Sequence, residues 1–597
     1  MCGIAGGINL PDSIEASFLL DSLNHRGPDD QGSFAEGPFL VTHTLLRIRD
    51  ATIGKTQPFS VDNRWLLAMN GEIYSIDDVA LNSHLGTESN REAEAICSSF
   101  SSYGLDALNK LSGMFSFSII DRLNNTVTLA RDGSGQKPLY FSIGENSSLL
   151  WASELKPFIQ SNFMPIKLNT TYLTQNLGLG FASSEDTLIE GVFELPHGSW
   201  VTFNSDAEIV GSGTIKNRAR TILVGDLNHN LAQTLEAHFV ADVKCALSLS
   251  GGLDSATIAG FAHSKGIQLS TFSTRFAQCP EESNWDFSRA EKLSREFDFD
   301  FAEVLITPEL YLDNFTLAHQ LLDNPLFNQS LPVYLELIKQ VKLKDSNLRV
   351  LLSGAGGDEL FAGYPHHRKF WLQKRIMGLI GEKAFRRLYS LKNGTQPILA
   401  ADEFWHHHRR LRWPENVLLV NFEDSLPLTG KNFDSLNNRD LLRVVEMDQA
   451  WLMADNFQYL DRFGMNYELE CRAPFANVEL FEWVWSETDP NLNFGLFGGF
   501  NQKKQLQNFS QEYLPDWFYH DLEKRGWAAP IRYWYENNPE FRDFFVDLFS
   551  PLENQSRLLP IDFKAVNRIL KESSKFPGKW LIYLSSIVVV TEKLELR

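Results

Sequence analysis

The run Cys245-Ala246-Leu247-Ser248-Leu249 leads directly into Ser250-Gly251-Gly252-Leu253-Asp254-Ser255. An apolar run of this length suits a buried strand, and the Gly-Gly after it marks a tight turn before a helix that opens near Ser255. A second strand is predicted at 268–273 and a third at 349–352, the latter again ending on a glycine-rich turn. Strands alternating with helices predict a parallel sheet, whose ligands collect at the strand C-termini. Backbone N–H groups in such a turn, backed by a helix N-terminus, suit pyrophosphate. Ser250 and Ser255 add hydroxyl donors beside Gly251 and Gly252, and Asp254 can hold Mg²⁺. The turn lacks the Gly-Lys-Ser/Thr of a Walker loop. For a lone Gly-Gly, an ordinary strand–helix turn is the plainer reading.

Residues 1–205 have a different texture. Short β-like runs at 39–42, 65–69, 114–120 and 126–130, broken by Gly, Asn and Asp, predict packed antiparallel sheets with intervening helices. Residues 206–223 carry no clear periodicity and are expected to link this α+β sandwich to a second unit, 224–597. That unit is expected to be the α/β parallel-sheet domain, with a largely helical C-terminal part.

The 597 residues include 43% apolar and 22% charged side chains, as in ordinary globular proteins, with a net charge of −20. This balance argues against a broad nucleic-acid footprint and leaves room for a local basic pocket. Cys2, Cys97, Cys245, Cys279 and Cys471 show no metal-binding spacing, which points to a reducing cytoplasmic setting. The opening MCGIAGGINLPDS has neither a basic n-region nor a long apolar core, so no secretory signal is expected. The apolar stretch 580–590 is too short to span a bilayer and predicts a buried helix. Neither a nucleic-acid nor a membrane partner is expected; a homodimer is allowed.

Cys2 follows the initiator Met. Removal of that Met would leave an α-amino group with a pKa of roughly 7.7–8.0, able to take the thiol proton. A small buried cysteine at the chain start is the plain alternative. The neighbouring motifs change the balance: His25-Arg26-Gly27-Pro28-Asp29, Asn70-Gly71-Glu72-Ile73-Tyr74 and Ala130-Arg131-Asp132-Gly133-Ser134-Gly135-Gln136-Lys137. With MCGIAGG they resemble the class II, N-terminal nucleophile, glutamine amidotransferase domain. The resemblance makes Cys2 the nucleophile at the glutamine carboxamide, with Asn70 and the Gly71 N–H as oxyanion donors. It places glutamine against Glu72, Glu92, Leu46, Arg47 and Arg49. Leu45 stands where the family usually carries an arginine for the glutamine α-carboxylate, so Arg47 or Arg49 must substitute. Glu92 stands where the family has Asp.

In the second half, Ser250–Ser255 resembles the ATP-pyrophosphatase loop. Ser353-Gly354-Ala355-Gly356-Gly357-Asp358-Glu359-Leu360-Phe361-Ala362-Gly363-Tyr364 resembles the SGxGxDExFxGY segment of glutamine-hydrolysing asparagine synthetases. Glu470-Cys471-Arg472-Ala473-Pro474-Phe475, Lys503-Lys504-Gln505-Leu506 and Lys524-Arg525-Gly526-Trp527 resemble further segments of that family. The resemblance implies Mg²⁺ on Asp254 and Asp358, and adenosine against Ser248, Thr274, Ser353 and Gly354. It implies Lys503 facing the adenylate and Glu470 as a candidate for proton transfer. Ala355 replaces the usual glutamate, and Phe475-Ala476-Asn477 is altered. The expected reaction consumes glutamine, ATP and an acceptor carboxylate and forms AMP and pyrophosphate, with asparagine synthesis first. Amidation of another carboxylate (a surface-polysaccharide sugar acid or a natural-product amide) and a decayed binding or regulatory protein are the alternatives.

Overall fold

The structure is a computed structural model that describes residues 2–595 apart from 50–56, 79–90, 180–184, 217–222, 224, 327, 402–403, 406, 408–411, 415–416, 419–439, 450–453, 496–500, 521, 524–527 and 555–558. The N-terminal half contains strands β1 (Cys2–Ile8), β2 (Asp30–Glu36), β3 (Phe39–Leu45), β4 (Phe59–Ser60), β5 (Trp65–Ile76) and β6 (Leu111–Asp121). They are followed by β7 (Thr126–Arg131), β8 (Tyr140–Ile143), β9 (Leu149–Ala152), β10 (Phe193–Glu194), β11 (Ser199–Asn204) and β12 (Ile209–Thr214). They form two six-stranded sheets, ordered β10-β8-β9-β1-β3-β2 and β12-β11-β7-β6-β5-β4, and their pairings are antiparallel, as expected.

Period-two alternation builds the layers. Ile4 and Ile8 of β1 meet Leu66 and Ala68 of β5 in a core between the sheets. Ala5, one residue along, faces outward to Leu19 and Leu23 of the helix Ala16–Leu23. On the far side, Leu67 and Met69 of β5 pack on Ile96 and Phe100 of the helix Arg91–Tyr103. The result is a helix–sheet–sheet–helix sandwich. Its second sheet runs past the expected boundary at 205. Thr214 of β12 pairs with Ser199 of β11, so the first part of the expected linker is an edge strand. Its side chains alternate between exposed and half-buried, which leaves little apolar periodicity to read.

The second half holds β13 (Lys244–Ser248), β14 (Ser270–Phe276), β15 (Asp300–Ile306), β16 (Leu348–Leu352) and β17 (Glu470–Arg472). All pair in parallel, in the order β15-β14-β13-β16-β17. Both faces are covered: Ala246 enters one core and Leu247 and Leu249 the other, so the strand reads as a continuous apolar run. The chain passes from β13 through the helix Leu253–Ser264 to β14 on one side, and β16 lies on the other side of β13. The sheet therefore reverses its winding between β13 and β16, where open α/β sheets bind ligands.

The C-terminal helix Trp580–Glu595 is buried over 580–590, as expected. Its two serines return their hydrogen bonds within the core. Ser585 donates to the Leu581 carbonyl, and Ser586 accepts from the Leu326 N–H. Among the described residues, no helix is long and apolar enough to cross a membrane.

Candidate active sites

Cys2 opens β1 opposite Leu45 and is buried. Its backbone N–H donates to Asn70 Oδ1 at 3.2 Å. That bond orients the Asn70 amide, and the amide's Nδ2 is buried with no hydrogen-bond partner among the described residues. An unmet buried donor costs about 1–3 kcal/mol, so a donor held this way is suited to charge that develops only during reaction. Gly71 has φ +136°, and a Cβ there would lie 2.0 Å from the Met114 carbonyl oxygen; only glycine brings this backbone into place. Burial pushes the Cys2 thiol up, and the charges of Glu470 and Glu72 push the same way. The nearby α-amino terminus and a backbone hydrogen bond at Leu46 oppose them. The thiol therefore needs a base to become a nucleophile.

The two substitute arginines part company. Arg47 donates its backbone N–H to Asp29 and its guanidinium to Asp30 Oδ2 at 3.1 Å, on the half-exposed β2–β3 side. Arg49 places Nε 2.8 Å from Glu72 Oε2. Leu46 and Ile48 bury their side chains in a core of the second domain, and the Leu46 backbone hydrogen-bonds at Cys2. Glu92 accepts a short hydrogen bond from the Ile73 N–H. Burial, reinforced by the Glu72 charge, pushes the Glu92 carboxyl up to about 8, against the pull of Arg49. Arg49, Glu72 and Glu92 thus form a partly buried constellation that Arg47 does not join.

A second network ties this site to the other domain. Arg26 is fully buried and donates Nε to the Cys2 carbonyl at 3.1 Å. Its Nη1 reaches Glu154 and Asp461, each at 2.7 Å, and Nη2 reaches Asp461 at 3.1 Å. Asp461 lies on the helix Ala454–Asn466. The adjacent Arg462 pairs with Asp323 and Asp461 and donates to Tyr140 Oη at 3.2 Å. Burial raises the Asp461 carboxyl, but Arg26 and Arg462 outweigh it and hold it below the usual range. Sequence reading missed Asp461, Arg462 and Asp323, because single acids and bases on helices carry no local signature.

Glu470 falls on this same side. It starts β17 opposite Val350, with Oε1 2.5 Å from Arg472 Nε. Arg472 Nη2 is 3.5 Å from Glu72. Burial raises the Glu470 carboxyl, but Arg472 and Lys137 hold it below the usual carboxylate range. Its register partner is the middle residue of β16, three residues before Ser353, roughly 10 Å of strand short of the glycine turn. The structure thus brings Glu470 beside the Cys2 site, where the sequence expectation had it serving the adenylate.

The two glycine turns converge at the other end. Ser250 N–H donates to Ser255 Oγ at 3.1 Å, and the two hydroxyls are 3.0 Å apart. Gly251 has φ +76°, with the Asp286 carbonyl oxygen 2.1 Å from where a Cβ would be. Ser248 ends β13, Thr274 lies in β14 beside it, and Ser353 and Gly354 follow β16. A Cβ on Gly354 would lie 2.9 Å from Asp254 Cβ, and one on Gly357 would lie 2.5 Å from Asp254 Oδ1. Glycine thus lets the second turn close on the first.

Between them sits Lys503, buried and left-handed at φ +53°. Its Nζ is 2.6 Å from Asp254 Oδ2 and 2.6 Å from Asp358 Oδ1. Burial lowers the ammonium, but the two carboxylates overcome it and raise the pKa above the ordinary lysine value. The sequence expectation put Mg²⁺ on these two acids; the Lys503 ammonium lies between them. The same carboxylate oxygens are the donors Mg²⁺ prefers.

Ala355 donates its N–H to Ser353 Oγ at 3.3 Å and offers no proton. The altered segment after Phe475 has a structural job. A Cβ on Gly356 would lie 2.6 Å from the Ala476 nitrogen, and Asn477 Oδ1 accepts from Leu480 N–H at 2.7 Å, capping the helix Val478–Glu487. Asn caps a helix about as well as Asp. A small cavity lined by Ser134, Gly356, Glu359, Phe457, Phe475 and Ala476 joins the two domains here. Sequence reading also missed a buried cluster beside this turn. His366 and His367 both meet Asp448 Oδ2, at 2.6 and 2.7 Å, and the Trp405 indole donates to Oδ1 at 2.7 Å. The segment 524–527 lies outside the described residues; Trp534 beyond it is buried and donates to the Ala277 carbonyl.

The asparagine synthase family model matches residues 226–593, and the glutamine amidotransferase domain model matches residues 1–212. The chain belongs to the asparagine synthase family. Asparagine synthetase (glutamine-hydrolyzing) 3 of Bacillus subtilis is 25% identical over 517 residues, covering 81% of each chain. Asparagine synthetase (glutamine-hydrolyzing) 1 of the same organism is 26% identical over 580 residues, covering 90% of this chain and 88% of its own. Amidase chyE of Penicillium rubens is 24% identical over 592 residues, covering 88% and 85%. The asparagine synthase match spans the parallel sheet, both glycine turns and Lys503; the amidotransferase match spans Cys2, Asn70 and Gly71.

Proposed function

We propose that the chain is a glutamine-dependent, ATP-consuming ligase of the asparagine synthase type. The observation that carries the reading is the clasp of Lys503 by Asp254 and Asp358, at the mouths of the adjacent strands β13 and β16. It adjoins the Ser250–Ser255 turn, whose N–H groups and hydroxyls suit a polyphosphate, in a chain whose other half holds a buried N-terminal cysteine beside an unmet amide donor.

In the amidotransferase half, the Cys2 α-amine, free once Met1 is removed, takes the thiol proton. The sulfur attacks the glutamine carboxamide carbon. Asn70 Nδ2 and the Gly71 N–H receive the oxyanion, ammonia leaves, and water releases glutamate from the thioester. Arg49 takes the substrate α-carboxylate and Glu92 its ammonium. Arg49 is chosen over Arg47 because its guanidinium already stands with Glu72, in the group that includes Glu92, whereas the Arg47 guanidinium meets Asp30.

In the synthetase half, the acceptor carboxylate attacks the α-phosphorus of ATP and pyrophosphate leaves. Ammonia then attacks the acyl-adenylate carbon and AMP leaves. Ser250, Gly251, Gly252 and Ser255 hold the pyrophosphate, and Ser248, Thr274, Ser353 and Gly354 hold the adenosine. Mg²⁺ on Asp254 and Asp358 would neutralise phosphate charge. Lys503, released from that clasp, would face the adenylate. Ammonia crosses between the two halves, and water excluded from that path protects the acyl-adenylate; the small cavity between Ser134 and Gly356 is the candidate for part of it.

Aspartate is the acceptor the synthetase relatives' names support, and the free thiols suit a cytosolic enzyme. The test is an ATP–pyrophosphate exchange assay with aspartate, paired with a glutaminase assay. Aspartate-dependent exchange supports the reading, and ADP with phosphate as products would overturn it.

A further inference from the structure

The helices Pro365–Ile380 and Glu382–Asn393 form a hairpin on the synthetase domain. The mechanism above uses none of its outward-facing residues. Within 365–393 there are eight Lys or Arg and one acid, Glu382, in a chain whose net charge is −20. Large apolar side chains stand out among these cations: Leu379 is 80% and Leu391 76% exposed, with Ile376, Ile380 and Leu388 also exposed. Helical spacing puts charge and apolar tip on common stripes. Arg375 precedes Leu379 by four residues, and Lys383, Arg387 and Leu391 follow at intervals of four.

Between the two helices runs a cleft of about 570 Å³, within the size range of small-molecule sites. Its walls include Leu372, Ile376, Phe385 and Leu388, and Arg368, Lys369 and Lys392 line it with them. Two buried polar atoms in its lining, Arg368 Nε and Gln373 Oε1, have no hydrogen-bond partner among the described residues. A cleft with apolar walls and cations along it fits an anionic amphiphile. Basic helices with exposed leucines are the surfaces that lie on anionic bilayers. Nucleic acid would use the cations and leave the leucines in water. A flat acidic protein would leave the cleft unfilled.

We propose that this hairpin docks the enzyme on an anionic phospholipid bilayer, with a lipid headgroup and the start of its acyl chain entering the cleft. The docking is peripheral. Gln502 lines the cleft, and its amide donates to the Ala362 and Tyr364 carbonyls, so the docked face lies next to two separate segments, one carrying Asp358 and the other Lys503.

The test is flotation of the full chain with vesicles of phosphatidylcholine alone or with phosphatidylglycerol added at three parts in ten. Partitioning should be at least tenfold stronger on the anionic vesicles. Lys383→Glu/Arg387→Glu and Leu379→Asn/Leu391→Asn should each lose at least tenfold, with glutaminase activity and thermal melting unchanged. Equal binding to neutral and anionic vesicles would overturn the proposal, as would wild-type binding by both variants. Glycerol 1-phosphate binding that is lost in Lys369→Glu/Lys392→Glu, two cations of the cleft wall, while vesicles do not bind, would reassign the cleft to a soluble phosphate ligand. A lipid-independent dimer lost in the leucine variant would give the face to a second copy of the chain.

Discussion

Asn70 does two things with one side chain: Oδ1 takes the Cys2 N–H and Nδ2 is left to donate. Asn70→Ala should lower glutaminase kcat by about 10²–10³-fold, the usual effect of losing one oxyanion donor, while ammonia-supported synthesis continues. Equal loss of both would remove Asn70 from the oxyanion role. Glu92 gives a pH signature. Its carboxyl, pushed up to about 8, is neutral below that value and charged above it, and only the charged form attracts the glutamine ammonium. The KM for glutamine should fall as pH rises through 8, and Glu92→Gln should flatten that dependence and raise KM. A pH-independent KM in the wild type would contradict the assignment. Ala355 leaves the adenylate side without the family's usual acid, and general acid–base help is typically worth about 10²–10⁴-fold. The sequence raised a substitute at Glu470, but the register of β17 puts that carboxylate among Arg472, Lys137 and Glu72. Glu470→Gln should therefore impair the glutamine-supported reaction more than the ammonia-supported one, measured as asparagine formed from each nitrogen source.

The two glycine turns and the helix Ala454–Asn466 hold the acids Asp254, Asp358 and Asp461 in place. Asp254→Asn and Asp358→Asn each remove half of the clasp around Lys503 and should suppress pyrophosphate release while sparing glutamine hydrolysis. Wild-type pyrophosphate release in both would dismiss the phosphate site. Asp461→Asn strips the partner that Arg26 and Arg462 share. Breaking one side of a buried ion network costs about 3–5 kcal/mol, so denaturant unfolding should show a loss of that order. Asp461 is held below the usual carboxylate range, so its contribution is present at neutral pH. It fades as the pH falls from the ordinary aspartate range through that depressed value. The sequence made most of these elements legible for physical reasons. The run at 245–249 is apolar on both faces because its sheet is covered on both, and the glycines mark turns that a Cβ would block. β12 escaped because an exposed edge strand carries no apolar alternation. The Arg26–Asp461 network escaped because it joins residues 435 positions apart, and no local pattern records such a pairing.

The whole molecule is two reaction centres sharing one buried, charged seam. Arg26 holds the Cys2 carbonyl with one nitrogen and Asp461 of the other domain with the rest, so the nucleophile's strand and the synthetase helix are positioned together. Placing the reactive motifs needed only the sequence; learning that they face each other across Arg26, Glu470 and the cavity at Ser134 needed the fold. The central claim is that separate sites generate ammonia and consume it on an adenylate. Its most direct test measures asparagine, AMP and pyrophosphate from aspartate and ATP, for the wild type and Cys2→Ala, with glutamine or ammonia as nitrogen source. The wild type should form all three in equal amounts from either source. Cys2→Ala should lose the glutamine-supported reaction and keep the ammonia-supported one near the wild-type rate. Loss of both in a folded Cys2→Ala protein, or glutamine-supported synthesis that survives it, would contradict the account.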